Sequence, residues 1–110
     1  MSTAEELQLI PSFDDEGFLI ESAYWNEAIA QQIATLNGVE HLTNDHWRVI
    51  DDIRQHYSRY RTPPVISQLC RAEGEDRQWV HDLFGTCLNA WRVAGLPDPG
   101  EEAKAYLNDM

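Results

Sequence analysis

Ala90-Trp91-Arg92-Val93-Ala94-Gly95-Leu96-Pro97-Asp98-Pro99 is the stretch on which the reading of this chain turns. It predicts the last turn of a helix, a stop and an exit. Gly95 can take the left-handed backbone that closes a helix, and Pro97 cannot prolong one. Each residue ahead of a proline is pushed out of the α region, so Leu96 to Pro99 is expected to run extended. Residues 98–110 are then expected to leave as an acidic arm, and residues 1–97 to form the folded domain; with Asp98 as cap and Pro99 in the first turn, the arm reads as a short helix from Gly100 to Leu107 whose Tyr106 and Leu107 dock either on the globule or on a partner.

Upstream, Thr86 is placed to cap a last core helix containing Cys87, Leu88, Ala90, Trp91 and Ala94. Asp76 to Phe84 reads as a helix with Trp79, Val80, Leu83 and Phe84 inward. Before it, Pro64 starts a short helix through Ala72, stopped by Gly74. Thr43 caps the longest helix, whose buried stripe is Trp47, Ile50, Ile53 or Arg54, Tyr57 and Tyr60, ended by Thr62-Pro63-Pro64. Ser22 is the expected cap of the first helix, with Trp25, Ile29, Ile33 and Leu36 at helical spacing and Asn37-Gly38 closing it. Residues 7–20 read as a β-hairpin, Leu7, Leu9 and Phe13 facing Phe18 and Ile20 across Asp14-Asp15-Glu16-Gly17. The expected fold is therefore α+β: an N-terminal β-hairpin or small meander packed on five to six helices, with a C-terminal arm.

A chain of 110 residues fits one domain. Such a chain buries about 65% of its unfolded surface, enough for a core without staples. No apolar run approaches the roughly 18 residues that a spanning helix needs. Met1 to Glu6 lacks the basic and apolar regions of a signal peptide, so the expected compartment is the cytoplasm. Formal net charge is −11, which repels nucleic-acid backbones at long range. Between Trp47 and Arg71, however, Arg48, Arg54, Arg59, Arg61 and Arg71 face only Asp51 and Asp52. A local basic face on an acidic chain favours a protein partner over nucleic acid.

The chemistry-bearing residues are sparse. Cys70 and Cys87 have neither CxxC nor zinc-knuckle spacing and are expected to be thiols. Asp14, Asp15 and Glu16 lack the remainder of a calcium loop and read as a solvated turn. His41, His46, His56 and His81 show no ligand spacing, so no metal or other cofactor is expected. His46, beside Trp47, reads either as a partner contact or as a packed histidine hydrogen-bonded to backbone; the second is preferred. The helices on either side of Pro63-Pro64 also have the order of a helix-turn-helix, with Ser67, Gln68 and Arg71 as base readers, a reading that the charge disfavours.

Taken in order, Phe13-Asp14-Asp15-Glu16-Gly17-Phe18-Leu19, Trp25-Asn26-Glu27, Leu42-Thr43, His46-Trp47, Val49-Ile50, Arg54, Tyr57, Tyr60, Pro64, Leu83-Phe84 and the Ala-x-Arg-Val-Ala-Gly-Leu-Pro-x-Pro run at 90–99 resemble the DsrC/TusE family. That family includes the gamma-subunit-like protein of dissimilatory sulfite reductase and the TusE sulfur carriers. The resemblance implies sulfur chemistry on a cysteine next to last on the arm and, in DsrC proper, a second cysteine in the slot before Arg92. Here that slot holds Trp91, and Glu101 to Met110 contains no cysteine.

The expected role is thus an accessory protein of sulfur metabolism that binds rather than transfers, a non-catalytic or regulatory paralogue. Its partner-binding residues would be Trp91, Arg92, Leu96, Pro97, Arg54 and Arg61. Its partners would be a sulfite-reductase-type complex or a TusBCD-like sulfur donor. One alternative is a sulfurtransferase using Cys87, one turn before Trp91 at a helix N-terminus where the dipole favours a thiolate. A second is a helix-turn-helix-like nucleic-acid-binding regulator.

Overall fold

The computed structural model describes residues 12–109. After a short 3-10 turn at Ser22–Tyr24, six α-helices follow: α1 (Glu27–Leu36), α2 (Asn44–Tyr60), α3 (Ile66–Ala72), α4 (Trp79–Phe84), α5 (Cys87–Val93) and α6 (Glu101–Asp109). Among the described residues the fold is all-helical, which corrects the expected α+β class. Residues 7–11 of the expected hairpin lie outside the described residues. Within the remainder, a single antiparallel bridge joins Phe13 to Leu19.

The reason is visible in the turn. Asp14 Oδ1 accepts the Glu16 and Phe18 amides, both at 2.9 Å, and Gly17 adopts φ 86°. Phe18 and Leu19 are then buried in succession, both at 0% exposure, while Ile20 is 60% exposed. A strand sends successive side chains to opposite faces, so one with a single buried face cannot bury two neighbours. The segment is a capped turn that pins two apolar side chains.

Caps define the helices. Asn26, rather than Ser22, caps α1 by accepting the Ile29 amide. Thr43 caps α2 in a reciprocal box whose other half is His46, Nδ1 accepting the Thr43 amide at 3.0 Å. The other nitrogen, Nε2, is 2.9 Å from the Leu83 carbonyl, and the ring meets Phe84 edge-on. His46 thus joins α2 to α4 from a buried position. Thr86 caps α5 through the Asn89 amide.

Helix α5 is the axle: α1, α2, α4 and α6 all pack on it. The core gathers Ile33, Val49, Ile50, Ile53, Val80, Phe84, Trp91 and Val93 around it. The acidic arm forms its helix and folds back on the globule. After the extended Leu96–Pro99 segment, Asp98 Oδ1 accepts the Gly100 amide and the chain turns back as α6. Leu107 is buried, and the Tyr106 hydroxyl accepts the Ile66 amide at 2.9 Å, satisfying one of the orphan donors at the start of α3. Lys104 holds Glu16 at 2.8 Å, Asp98 at 3.0 Å and Glu101 at 3.2 Å.

Candidate functional site

A helix end leaves carbonyls without intrahelical partners. At the end of α5, two of these are claimed by side chains from far along the chain. Trp25 Nε1 donates to the Val93 carbonyl at 2.9 Å, and Arg54 Nη1 donates to the Ala94 carbonyl at 2.6 Å. The Arg54 guanidinium also stacks 3.9 Å from the Trp25 ring centroid. Gly95 follows at φ 74°, and a Cβ there would fall inside the Trp25 indole. Glycine is required at this position both for its backbone conformation and for space.

Trp91 lies beneath, 1% exposed, its Nε1 donating to the Pro97 carbonyl at 2.8 Å and its ring meeting Tyr57 edge-on at 5.4 Å. Leu96 is 5% exposed and Pro97 half-buried. Arg92 turns the other way, donating to the Glu16 carbonyl at 2.9 Å and to Asn89 Oδ1 at 2.9 Å, over the Phe18 ring. The six expected partner-binding residues therefore divide. Trp91 is internal, Arg92 braces the N-terminal turn, and Leu96 with Pro97 closes the helix end. Arg54 and Arg61 open onto a common cleft.

That cleft has a volume of about 680 Å³ and runs along the C-terminal half of α2, reaching Ser22 and Leu96. Arg54 forms part of its wall, and Arg59 and Arg61 line it as exposed residues. Asp51 is the carboxylate in its lining, while Tyr57 and Leu96 supply apolar surface. Burial pulls the Arg54 guanidinium below its ordinary value, and the Asp51 charge acts in the opposite direction. Arg61 closes α2 in the left-handed conformation, φ 60°, and its guanidinium lies 5.5 Å from the Tyr57 ring. Arg59 was not among the expected site residues. The signal for it was present, because residues 55, 58 and 59 fall on the face shared with 51 and 54 at helical spacing.

The thiols lie elsewhere. Cys70 in α3 and Cys87 at the start of α5 are free and buried. Cys87 is 1% exposed, and burial, with Cys70 nearby, pushes its thiol up to about 12. Desolvation thus outweighs the helix-terminus field that would favour a thiolate. Among the described residues, no group of three or more His, Cys, Asp or Glu side chains is placed to hold a metal ion. Nor is any described helix long and apolar enough to cross a membrane.

A third cluster was not foreseen from the sequence. Asp52, His56, Pro64, Leu69 and Glu73 line a cleft of about 420 Å³ between α2 and α3. Burial first, then a hydrogen bond to Glu73, raises the Asp52 carboxyl to about 7. Glu73 is held below its ordinary value by that bond and by Arg48, which reaches it at 2.8 Å. Of the two carboxyls, Asp52 is therefore the one that keeps its proton more readily and Glu73 the one that more readily carries charge.

Comparison with known proteins places this arrangement. A family model described as DsrC like protein matches residues 8–101. The sulfurtransferase TusE of Salmonella choleraesuis is 38% identical over 97 residues, covering 80% of this chain and 88% of that protein. A TusE homologue of Haemophilus influenzae is 37% identical with the same coverage. Among solved structures, the oxidized gamma-subunit of dissimilatory sulfite reductase, DsrC, from Archaeoglobus fulgidus superposes with a TM-score of 0.71 at 29% identity, covering 83% of this chain and 90% of that one. The solution structure of DsrC from Pyrobaculum aerophilum gives 0.72 at 26% identity, covering 83% of this chain and 85% of that one. From Phe13 through the Gly95 hub, the chain belongs to the DsrC-like protein family.

Proposed function

We propose that this protein is a cytoplasmic sulfur-relay carrier of the TusE kind, receiving sulfane sulfur from one protein and passing it to another. The observation that carries the proposal is its likeness to proteins named sulfurtransferase TusE, 38% identical across four-fifths of the chain. That likeness favours a carrier over the non-catalytic paralogue expected from the sequence. Its partners would be a sulfur-donor complex of the TusBCD type or a sulfite-reductase-type complex.

Cys87 is the proposed bearer of the sulfur. Its thiolate would attack the terminal sulfur of a donor persulfide, forming one S–S bond as the donor's S–S bond breaks and the donor leaves as a thiolate. No net oxidation occurs. With its thiol pushed up to about 12, Cys87 is chemically quiet in the closed fold. Loading would therefore require the first turn of α5 to open, as on a bound donor.

A second reading, docking without carriage, is favoured by one observation: both thiols are buried. Incubation with glutathione persulfide followed by intact-mass measurement separates the two. A carrier gains one sulfur atom, loses that gain in Cys87→Ser and keeps it in Cys70→Ser. If wild type gains no sulfur with a persulfide donor, nor with its natural donor complex present, the carrier reading is wrong and docking alone stands.

A further inference from the structure

The cleft along α2 points to a partner of defined chemistry. The chain has eight Lys and Arg residues against nineteen Asp and Glu. Arg48 is held by Asp45, Glu73 and Glu75, and Lys104 by Glu16, Asp98 and Glu101. Among the described residues, Arg54, Arg59 and Arg61 make no ion pair with a carboxylate, although the protein is strongly acidic, and all three line one cleft. We propose that this cleft docks an extended, acidic segment of a partner protein, in which carboxylates alternate with apolar side chains.

Three features select that occupant. The first is spacing. Arg54 lies on α2 and Arg61, seven residues on, is its C-cap, so their Cα atoms are separated by about 10 Å along the helix axis. An extended chain with carboxylates at alternate positions, recurring every 6–7 Å or so, spreads three of them over about 13 Å, enough to cover that span. The second is the lining: Tyr57 and Leu96 offer apolar surface among the guanidiniums. Asp51 in the same cleft, with the net charge of −11, works against a continuous phosphodiester backbone.

The third is Arg61 itself. At φ 60° a glycine would avoid the Cβ–carbonyl clash that costs an L-residue about 1–2 kcal/mol. Arg61 thus lines the cleft at a local backbone cost that glycine would not incur. The inference is independent of sulfur transfer, since neither Cys70 nor Cys87 lines the cleft.

The test titrates the full chain by calorimetry with a terminally blocked Glu-Leu-Glu-Leu-Glu peptide. Its Gln-Leu-Gln-Leu-Gln counterpart, sodium sulfate and a single-stranded oligonucleotide are titrated in parallel. Expected are binding of the acidic peptide that weakens with salt, no binding of the glutamine peptide, and a loss of about tenfold or more in Arg59→Glu/Arg61→Glu. Arg61→Gly keeps the left-handed cap and is expected to weaken binding in the same direction with the fold intact. The inference fails if the acidic peptide does not bind, if the glutamine peptide binds as well, or if the charge-reversed variant binds like wild type. It fails equally if sulfate displaces the peptide at comparable concentration or the oligonucleotide binds more tightly. None of these outcomes bears on whether Cys87 carries sulfur.

Discussion

Lys104 and the arginines of the α2 cleft are cations of the same acidic chain in opposite situations. Lys104 has a side chain 10% exposed and is surrounded by Glu16, Asp98 and Glu101. Those contacts, Glu16 first and Asp98 next, raise its pKa. Its charge is saturated, and what it secures is internal: the returning helix α6 is tied to the N-terminal turn. Arg59 and Arg61 are exposed and meet no carboxylate among the described residues. Their charge remains available to another molecule. With carboxylates in such excess, three arginines of one cleft that meet no carboxylate among the described residues set the proposed docking surface apart from a structural latch.

Breaking what both regions hang on should give the largest effect. Trp91 underlies the Leu96–Pro97 exit that leads to α6, and it packs on Tyr57 in the cleft wall. Trp91→Ala is expected to lower stability by about 3–5 kcal/mol through the cavity it leaves. Urea unfolding followed by circular dichroism would measure this, and a loss under 1 kcal/mol or so would show that the two regions do not share a keystone.

Separating the regions comes next. Lys104→Met removes the latch and leaves the cleft untouched, so amide exchange should accelerate in residues 101–109 while binding of the acidic peptide is unchanged. Arg59→Glu/Arg61→Glu should do the reverse. If either variant moves both readouts together, the contrast between latch and docking surface collapses. A smaller effect belongs to Arg61→Gly: relief of the left-handed strain, offset by glycine's greater chain entropy, should raise stability by up to about 1 kcal/mol. Improved stability with weaker peptide binding would show that Arg61 is kept for docking.

Much of this fold was legible where its cause is local. Thr43 and Thr86 are fixed by the few residues around them, as is the left-handed backbone of Gly95, and the helices they bound are where the sequence places them. The hairpin failed because apolar residues on both sides of a turn also suit a pinned loop, and consecutive burial of Phe18 and Leu19 decides between the two. That the tail helix docks on the globule rather than on a partner was hidden for another reason: Lys104 meets Glu16 across 88 residues, and no periodicity announces such a pair. Trp25 and Val93, 68 residues apart, pose the same difficulty. At the site, the face shared by Arg54 and Arg61 could be read from helical spacing, but not that the Arg54 guanidinium would be held by the Ala94 carbonyl. The Cys87 thiol was set by a contest between burial and helix field that only its neighbours could decide.

The smallest expected effect comes from a third charged group, in which a carboxyl rather than a cation lacks a counter-ion. Asp52 is raised to about 7, by burial first and then by Glu73, with Asp51 adding to the rise and Arg48 opposing it. The unfolded chain releases that proton near pH 4. Between about pH 4 and 7 the native state therefore binds more protons than the unfolded one, and stability falls as pH rises through this window. Glu73, held low by its bond to Asp52 and by Arg48, has the opposite sign: its contribution is present above its ordinary carboxylate range and is lost on acidification below it. The two windows barely overlap, so they can be separated. Asp52→Asn keeps the hydrogen bond to Glu73 without a titrating proton, and urea midpoints measured from pH 4.5 to 8 should fall less steeply than those of wild type. Parallel profiles would show that Asp52 ionises normally.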